Sequence, residues 1–438
     1  MLVSLFGGIV HKNSVSSGHQ NRAWMRRHAK PALLCAVGVM SITALVWLGY
    51  EFWRLFFDPK LLFGRKVVTG GIDLKILHDF VHGWFSGAPV YHDDNGLIFP
   101  ARLATYPPAS YAITWPLLGW LGFSGARILW MAVTLLSLAF LVRTFACESG
   151  SQTPLERVFA GLIPLATYPC GAAIGNGQFS IVVVACLMAS LLLLARGEAR
   201  WKTDIAASCL FLFALVKPHI SAPFFWMALF IPGRMRPALL ISGGYCALTL
   251  LASFWQEAGP VSLIVDWLSR ATNAAGVAGY VNLHMLLAIF GLERFGLYIS
   301  LLLLSGLGVI TYFCRRSDFW LLLGITSITA RLWTYHQWYD DLLILLSLLV
   351  LLRIAHSYTT RPGAARTAGI LFLANMVLML VPGGQFLIPP PADNLYLAAL
   401  AFSWLASLGF LLHTAWKERG IPAVGKNTGT ELPDSLPT

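Results

Sequence analysis

The chain has 438 residues, of which 57 % are hydrophobic and 12 % charged, and its mean hydropathy is +0.68. One soluble core cannot bury that much apolar surface, so the composition excludes a soluble globular domain and predicts an all-α polytopic membrane protein. The net charge of +11 indicates no nucleic-acid partner, because basic residues beside membrane spans meet anionic lipid headgroups.

The N-terminal residues 1–30 precede the first long apolar run, residues 31–53, and carry clustered basic side chains: Lys12, Arg22, Arg26, Arg27 and Lys30. Clustered Lys and Arg beside a span mark the cytoplasmic face of a membrane. The sequence therefore predicts a cytoplasmic N-terminal segment at 1–30 and a long extracytoplasmic loop at 54–124.

Two helices are expected within this loop. Residues 73–86 have the pattern of an interfacial helix, with Leu77 and Phe80 among the apolar side chains expected to face the membrane. Residues 107–121 open with Pro107-Pro108 and are too short for a span, so they predict a helix that dips into the outer membrane face.

The remaining apolar runs predict about twelve spans within a transmembrane domain at residues 31–416. One proposed span boundary falls at Lys217-Pro218, because a charge is costly at mid-membrane and proline ends helices. Residues 417–438 are rich in Pro, Gly, Thr and Ser and predict a disordered cytoplasmic tail. The twelve predicted spans are 31–53, 125–145, 155–174, 178–196, 203–216, 219–232, 237–255, 296–314, 318–334, 340–355, 367–383 and 395–415.

This topology brings unusual polar residues together at the outer ends of helices, which predicts a single site at that face. Several short motifs occur there in a fixed order. They are an early Asp73, then GAPVY at 87–91, YPP at 106–108, NGQ at 176–178, LVKP at 215–218, and His336 followed by a Tyr-Asp pair at 339–340.

This ordered series resembles the polyprenyl-phosphate-mannose-dependent α-mannosyltransferases of glycosyltransferase family 87, within the GT-C superfamily. The resemblance implies a GT-C fold whose long first extracytoplasmic loop carries interfacial helices. It implies a polyprenyl-phosphate sugar as the donor, with mannose as the sugar, and a glycolipid or glycan acceptor. Transfer is implied to invert the anomeric carbon, to use no metal or cofactor, and to occur at the outer face of a bacterial cytoplasmic (inner) membrane.

Inverting transfer needs a base that takes the proton of the acceptor hydroxyl. The resemblance assigns this role to Asp73, the acidic residue early in the first loop. Asp79 is the alternative base, because Phe80 follows it and the family often has an Asp-Phe pair. A helix cap is the structural alternative for Asp73. Spacing alone leaves the choice between Asp73 and Asp79 open.

The resemblance assigns the donor phosphate to Lys217, Arg331 and His336. A lysine whose ammonium reaches the membrane surface and an interfacial histidine are the structural alternatives for two of them. Sugar or acceptor contacts are assigned to a further set, whose members have loop-holding or helix-capping roles as alternatives. That set is Tyr106, Asn176, Gln178, Asn282 and Asp340.

The sequence gives little sign of a metal site. His78, His82 and His92 lie near aspartates, but the i, i+4 pair His78 and His82 has no third ligand at a spacing typical of zinc sites. The cysteines occur singly and suggest neither disulfides nor metal binding. A transporter or flippase is the rival class, and it predicts paired charges at mid-membrane with internal symmetry. A non-enzymatic assembly subunit is the third possibility.

Overall fold

The computed structural model describes residues 17–57, 60–62, 65–67, 70–93, 96–277, 281–357 and 361–418. Residues 1–16 and 419–438 lie outside this part of the chain. The predicted disordered tail, residues 417–438, therefore lies almost entirely outside the described residues. Residues 417 and 418 are helical, because they belong to the last helix.

The described chain is almost entirely α-helical, as its composition predicts. Its helices, numbered in chain order, are α1 Ser17–Phe57, α2 Ile72–Phe85, α3 Pro108–Leu118, α4 Phe123–Glu148, α5 Pro154–Ala166, α6 Tyr168–Asn176, α7 Ser180–Arg196, α8 Trp201–Ala214, α9 Pro218–Ser221, α10 Phe225–Leu229, α11 Arg236–Ser253, α12 Pro260–Val277, α13 Leu283–Ile289, α14 Gly296–Phe313, α15 Phe319–Leu332, α16 Leu342–His356, α17 Pro362–Met379, α18 Gly384–Leu387 and α19 Asp393–Glu418. Short 3-10 turns occupy Ala101–Leu103, Ala222–Phe224, Glu293–Phe295 and Trp338–Asp341.

One element departs from the all-α prediction. The strands β1, Lys60–Leu62, and β2, Arg65–Val67, form an antiparallel hairpin in which Lys60 pairs with Val67. Three residues per strand give too weak a periodic signal for the sequence to reveal it. The hairpin lies between the end of α1 and the start of α2.

Five helices of the described chain are long and apolar enough to cross a membrane singly, and a bent pair brings the number to six. These five are Lys30–Phe57 within α1, then α4, α14, α17 and α19. All twelve predicted spans fall on helical segments, but several of those segments are broken or short. The protein is therefore a polytopic membrane protein, and the count of twelve stays a prediction.

Helix α2 is buried on a face that the sequence analysis assigned to the membrane. Leu77 and Phe80 are both fully buried in the protein core, so the prediction that they face lipid was wrong. Their burial follows from the packing of α2 against α3, α4 and α6. Apolar side chains suit lipid and protein interior equally, so hydropathy does not distinguish the two environments.

Helix α3 confirms the short helix expected near residues 107–121. It is 11 residues long, and Pro107 and Pro108 form its start, where a missing backbone N–H costs nothing. Its Ser110 hydroxyl donates to the carbonyl of Val216 at 2.8 Å. This bond ties the YPP segment to the chain just before Lys217.

The predicted break at Lys217-Pro218 is present. Helix α8 ends at Ala214, and α9 begins at Pro218 after three non-helical residues. The predicted span 219–232 is not one helix, because α9, a 3-10 turn and α10 divide it. Lys217 therefore sits in an interruption of the backbone helix and not inside a span.

A second interruption separates α6 from α7, which meet at a bend of 119°. Gly177 provides the bend with φ of 73°, a left-handed conformation that glycine adopts without strain. A Cβ at Gly177 would lie 2.6 Å from the Cβ of Leu74. The NGQ motif thus packs directly on the first turn of α2.

Helix α16 lies at the centre of the bundle. Every residue from Leu342 to Leu352 is buried, and the helix packs against α15 and α17 as well as α4, α5 and α7. The 3-10 turn Trp338–Asp341 leads directly into it. Two acidic residues, Asp340 and Asp341, are therefore held at the start of this buried helix.

Candidate functional site

Asp340 organises a buried polar cluster. The Ser180 hydroxyl donates to its Oδ1 at 2.7 Å, and Nζ of Lys217 lies 3.4 Å from the same oxygen. Nε2 of His219 and Nδ1 of His336 each lie 3.6 Å from Asp340 Oδ2. We call these five residues the Asp340 cluster.

Breaks between helices bring the members of this cluster together. Ser180 begins α7 just after the Gly177 bend, and Lys217 and His219 flank the start of α9. Asp340 is fixed by the backbone N–H of Gln337, which donates to Oδ2 at 3.2 Å. The cap role that the sequence offers as an alternative for Asp340 is thus present.

The side chain of Lys217 is only 3 % exposed, and lysines are rarely buried to this extent in proteins. Burying an ammonium requires a counter-charge, which the 2 % exposed side chain of Asp340 supplies. The ammonium also lies 4.9 Å from the ring centre of Tyr339, a favourable cation–π distance. Lys217 is therefore held in place instead of reaching towards solvent.

His336 has a defined tautomer. Its Nε2 lies 2.7 Å from the carbonyl oxygen of Ala330, and because a carbonyl only accepts, Nε2 carries the proton and donates. Burial lowers the pKa of His336 to about 3, so the imidazole is neutral near pH 7. Its Nδ1 then carries a lone pair, and it has no hydrogen-bond partner.

Arg331 forms a separate buried pair beside the cluster. Its Nε donates to Asp341 Oδ1, and one terminal nitrogen donates to the carbonyl of Val281 at 3.0 Å. The Tyr168 hydroxyl donates to the other oxygen of Asp341. Arg331 is fully buried, so its guanidinium holds the start of α16 in this structure. Its predicted contact with a donor phosphate stays a prediction.

Asp73 lies in the first turn of α2, where Gly71 and not Asp73 occupies the N-cap position. Desolvation raises the pKa of the Tyr106 and Tyr339 phenols, and the carboxylates of Asp73 and Asp340 raise both further. The same two phenols therefore lie within the electrostatic reach of both aspartates.

Asp79 has a different environment from Asp73. Lys75 Nζ lies 2.5 Å from its Oδ1, and Nδ1 of His78 lies 3.2 Å from the same atom. Burial opposes ionisation, but the hydrogen bonds of His78 and Lys75 lower the pKa of Asp79. Since the other nitrogen of His78 donates to the carbonyl of Leu121 at 2.9 Å, this group faces the α3–α4 turn. The geometry separates the two rival bases.

The NGQ motif contributes two buried amides. The Asn176 carbonyl oxygen accepts from a terminal nitrogen of Arg54 at 3.1 Å. Arg54 in turn lies 2.9 Å from Glu51 one turn earlier in α1. The side-chain oxygen of Gln178 is buried without a partner. Buried polar atoms of this kind are rare in native proteins unless a ligand or water completes them.

Asn282 lies near Arg331, since the neighbouring Val281 carbonyl accepts from it. Its side-chain oxygen accepts from the backbone N–H of Met285 at 2.8 Å, which caps α13. Its side-chain nitrogen is buried and has no partner. The side-chain oxygen of Asn282 therefore caps α13, as the sequence allows, while its side-chain nitrogen could donate to a ligand.

The sequence analysis did not assign four residues that the structure brings to this region: Ser180, His219, Tyr168 and Arg54. His219 had a usable signal, because it follows Lys217-Pro218 directly. Ser180 stands two residues after the NGQ motif. Tyr168 and Arg54 gave no signal, since their partners are more than 100 residues away in the chain.

Three members of the Asp340 cluster form a set with the atoms of a metal site. One ligand atom each from His219, His336 and Asp340 lies within 4.8 Å of the others. This group does not include His78, His82 or His92 of the first loop. The polar region as a whole offers a carboxylate, an ammonium, imidazole nitrogens and unpartnered amides, which suits an anionic, hydroxyl-rich ligand.

Comparison with known proteins agrees with this chemistry. Residues 104–382 match the family described as Glycosyltransferase family 87. No curated protein and no solved structure matches the chain. The matched range contains the whole Asp340 cluster and the NGQ motif but not Asp73. Because the match covers well over half of the chain, this membrane-embedded protein belongs to glycosyltransferase family 87 and is a glycosyltransferase.

Proposed function

We propose that the protein transfers a hexose, mannose by family resemblance, from a polyprenyl-phosphate sugar to a glycolipid or glycan acceptor. The observation that supports the proposal is the buried Lys217 of a membrane-embedded glycosyltransferase, together with the charge of Asp73, which acts on the same phenols, Tyr106 and Tyr339, as the charge of Asp340. A lipid-linked donor can reach a membrane-embedded site sideways from the bilayer. Its phosphate would meet the ammonium there.

In the proposed reaction, the Asp73 carboxylate takes the proton from an acceptor hydroxyl. The acceptor oxygen forms a bond to the anomeric carbon while the bond from that carbon to the phosphate oxygen breaks. Polyprenyl phosphate leaves with the bonding electron pair, and Lys217 stabilises its negative charge. Attack opposite the leaving group inverts the anomeric configuration. The resemblance implies that these bond changes need no metal ion.

The sugar and acceptor contacts are assigned to groups with unused bonding capacity. Gln178 and Asn282 each present a buried amide atom without a partner. Asn176 lies two residues before Gln178, and the charges of Asp73 and Asp340 act on the Tyr106 phenol. Asp340 differs, because both of its carboxylate oxygens already have partners. We assign Asp340 the role of positioning Lys217 and the two histidines.

The active face is proposed to be the extracytoplasmic face of a bacterial inner membrane. The basic cluster before the first span supports this orientation, since such clusters stay in the cytoplasm. Asp73 and Lys217 then lie on the opposite side. A cysteine-accessibility measurement on intact cells, with reporters near residues 92 and 200, tests which side each one occupies.

The test of the function is transfer of labelled mannose from the lipid-linked donor by membranes that contain the wild type, Asp73→Asn or Asp79→Asn. General-base catalysis contributes a factor of about 10² to 10⁴ to the rate, so the transfer rate of Asp73→Asn should be lower than that of the wild type by that factor. Asp79→Asn is the matched control on the same helix and should keep most of its activity. Equal activity of wild type and Asp73→Asn would remove Asp73 from the mechanism.

A transporter remains the rival class. It predicts movement of a polar or lipid-linked substrate across proteoliposome membranes without a new glycosidic bond. Recovery of labelled glycoside from proteoliposomes of purified protein supports the proposed reaction. Substrate flux in the absence of any glycoside would overturn it.

A further inference from the structure

One contact within the Asp340 cluster is unfavourable as it stands. His336 donates its Nε2 proton to Ala330, so its Nδ1 presents a lone pair. The nearest carboxylate atom is Asp340 Oδ2 at 3.6 Å, which also presents lone pairs. Two acceptors that face each other in a buried region repel unless positive charge lies between them.

A third potential ligand atom lies beside these two. Nε2 of His219 lies 3.6 Å from the same Oδ2, and all three ligand atoms lie within 4.8 Å. Two imidazole nitrogens and a carboxylate oxygen form one of the protein ligand sets of catalytic zinc, which leaves a fourth position open. Bonds of about 2.1 Å in a tetrahedron separate ligand atoms by about 3.4 Å, so the two 3.6 Å separations from Asp340 Oδ2 need to shorten only slightly.

The surroundings hold these ligands in the required orientation. Metal-binding histidines usually donate their second ring nitrogen to a carbonyl or carboxylate, and His336 does so to Ala330. The backbone of His219 is fixed by the indole N–H of Trp333, which donates to its carbonyl at 2.8 Å. Asp340 is fixed by Gln337 and Ser180. Each ligand thus has a support outside the trio.

Two positive groups lie near the trio, and neither occupies the ligand atoms. Lys217 contacts Asp340 Oδ1, the oxygen that is not shared with the histidines. The Arg331 charge is balanced by Asp341. A divalent cation next to Lys217 leaves the region net positive, so its open position favours an anionic oxygen, such as one of a phosphate.

We propose that His219 Nε2, His336 Nδ1 and Asp340 Oδ2 bind one divalent cation of the zinc type. This goes beyond the proposed function, because binding depends only on the three side chains and not on sugar transfer. The family resemblance implies a reaction without metal, so the cation's role is to fix both imidazoles and to add positive charge beside Lys217. It takes no part in the bond changes assigned to Asp73.

The experiment measures zinc bound to the purified full chain in detergent. The protein carries a tag without histidines, is stripped with a chelator, reloaded with Zn²⁺ and dialysed before elemental analysis. Cobalt replaces zinc in a parallel sample, since tetrahedral Co²⁺ gives visible absorption bands. The wild type is expected to bind one equivalent and to show these bands.

His219→Gln and His336→Gln should each weaken zinc binding by at least tenfold, because even the loss of supporting residues weakens metal sites by about 10- to 100-fold. His413→Gln, which alters an exposed histidine of α19, is the matched control and should bind like the wild type. Gel filtration and the thermal midpoint check the fold. If His336→Gln does not fold, His219→Gln decides alone, since that side chain is 28 % exposed.

Two outcomes would overturn the cation site: a wild type that retains almost no zinc after dialysis, or variants that bind as tightly as the wild type. Asp73→Asn separates this proposal from the proposed function. It should lose transfer activity and still bind one equivalent of zinc. A wild type that transfers mannose but retains almost no zinc after reloading and dialysis would leave the proposed function standing and remove only the cation site.

Discussion

Two buried ion pairs lie at the two ends of helix α8, Trp201–Ala214, and they are built on opposite principles. Near its start, Asp204 pairs with Arg234 at 2.6 Å. Just after its end, Lys217 pairs with Asp340 at 3.4 Å. All four residues are at most 5 % exposed, so burial does not distinguish the pairs. The difference lies in how completely their bonding groups are used.

In the pair at the start of α8, the donors of the Arg234 guanidinium are nearly all used, although Asp204 Oδ2 accepts no hydrogen bond. Arg234 donates to Asp204 and also to three backbone carbonyls, those of Leu194, Gly197 and Glu198, at 2.9 to 3.1 Å. Arg236 adds a second charge 3.3 Å from the remaining oxygen of Asp204. Such an arrangement joins α7, α8 and α11 and leaves little capacity to bind anything else.

The pair at the end of α8 leaves bonding capacity unused. Lys217 and the two histidines stand 3.4 to 3.6 Å from Asp340, which is long for a hydrogen bond. Buried side-chain atoms of Gln178, Asn282 and His336 also have no hydrogen-bond partner. Burial of charge marks both regions, but incomplete bonding separates a candidate binding site from a structural pair.

The largest expected effect follows from breaking the Asp204–Arg234 pair. Arg234→Met leaves the Asp204 carboxylate buried with only Arg236 nearby, which should cost about 3 to 5 kcal/mol of unfolding free energy. Unfolding in mixed detergent micelles measures this loss. Transfer activity per folded molecule should stay near that of the wild type.

Arg236→Met is the control for Arg234→Met, because the Arg236 side chain is 47 % exposed. An exposed ion pair contributes about 0 to 1 kcal/mol. Equal losses of unfolding free energy in the two variants would contradict a stabilising role of the buried Asp204–Arg234 pair.

The next effect tests the Lys217–Asp340 pair. Lys217→Met removes a charged hydrogen-bond donor worth about 1.5 to 3 kcal/mol to a bound phosphate, which corresponds to about a 10- to 100-fold rise in the KM for the lipid-linked donor. Steady-state transfer at varied donor concentration measures it. Lys202→Met, at an exposed position of α8, is the control. An unchanged KM in Lys217→Met would contradict phosphate binding by this lysine.

A smaller effect is expected at the bend that brings Ser180 to Asp340. Gly177→Ala places a Cβ 2.6 Å from that of Leu74 and forces alanine to a φ of 73°, a strain of about 1 to 2 kcal/mol. Stability and transfer should both fall. Gly243→Ala in α11 is the control, because its Cβ meets nothing within 4 Å and should leave stability equal or higher. Full transfer activity in Gly177→Ala would contradict the role of the NGQ turn in positioning Ser180 at the site.

The smallest effect concerns Asp79 on the other side of α2. Burial opposes ionisation of Asp79, but the hydrogen bonds of His78 and Lys75 hold its folded pKa below the ordinary value of an aspartate, so the contribution of its carboxylate to stability is present above that ordinary value. The contribution is lost as pH falls through the depressed folded pKa. Asp79→Asn should therefore lower the thermal midpoint slightly at pH 7, with a contribution of about 1 kcal/mol or less. The difference from wild type should vanish in strong acid, and a difference independent of pH would contradict the ion pair with Lys75.

Sequence predicted the elements that depend on local chemistry. Prolines located the start of α3 and the break before α9, because a missing N–H and a fixed φ act within a few residues. The motif order placed Lys217, His336 and Asp340 in one site before their contacts were known, and the structure brings these three together.

Sequence failed where partners are distant in the chain or where two environments favour the same residue. The contact of Tyr168 with Asp341 spans 173 residues, and the contact of Gly177 with Leu74 depends on the packing of α6 on α2. Leu77 was assigned to lipid because an apolar side chain suits lipid as well as the core. The tautomer of His336 depends on a backbone carbonyl that no residue pattern reveals.

The bend at Gly177 has a consequence for how the chain enters the membrane. Helix α6 has nine residues and covers about 14 Å, less than half of the roughly 30 Å hydrocarbon layer. Such a half-helix cannot remain in lipid alone, because its terminal carbonyls would lose their solvation. Gly171 and Gly175 instead fit closely against Trp47 and Glu51 of α1. During biogenesis the first span must therefore already be in place before this segment can settle, which couples insertion of the N-terminus to completion of the active site.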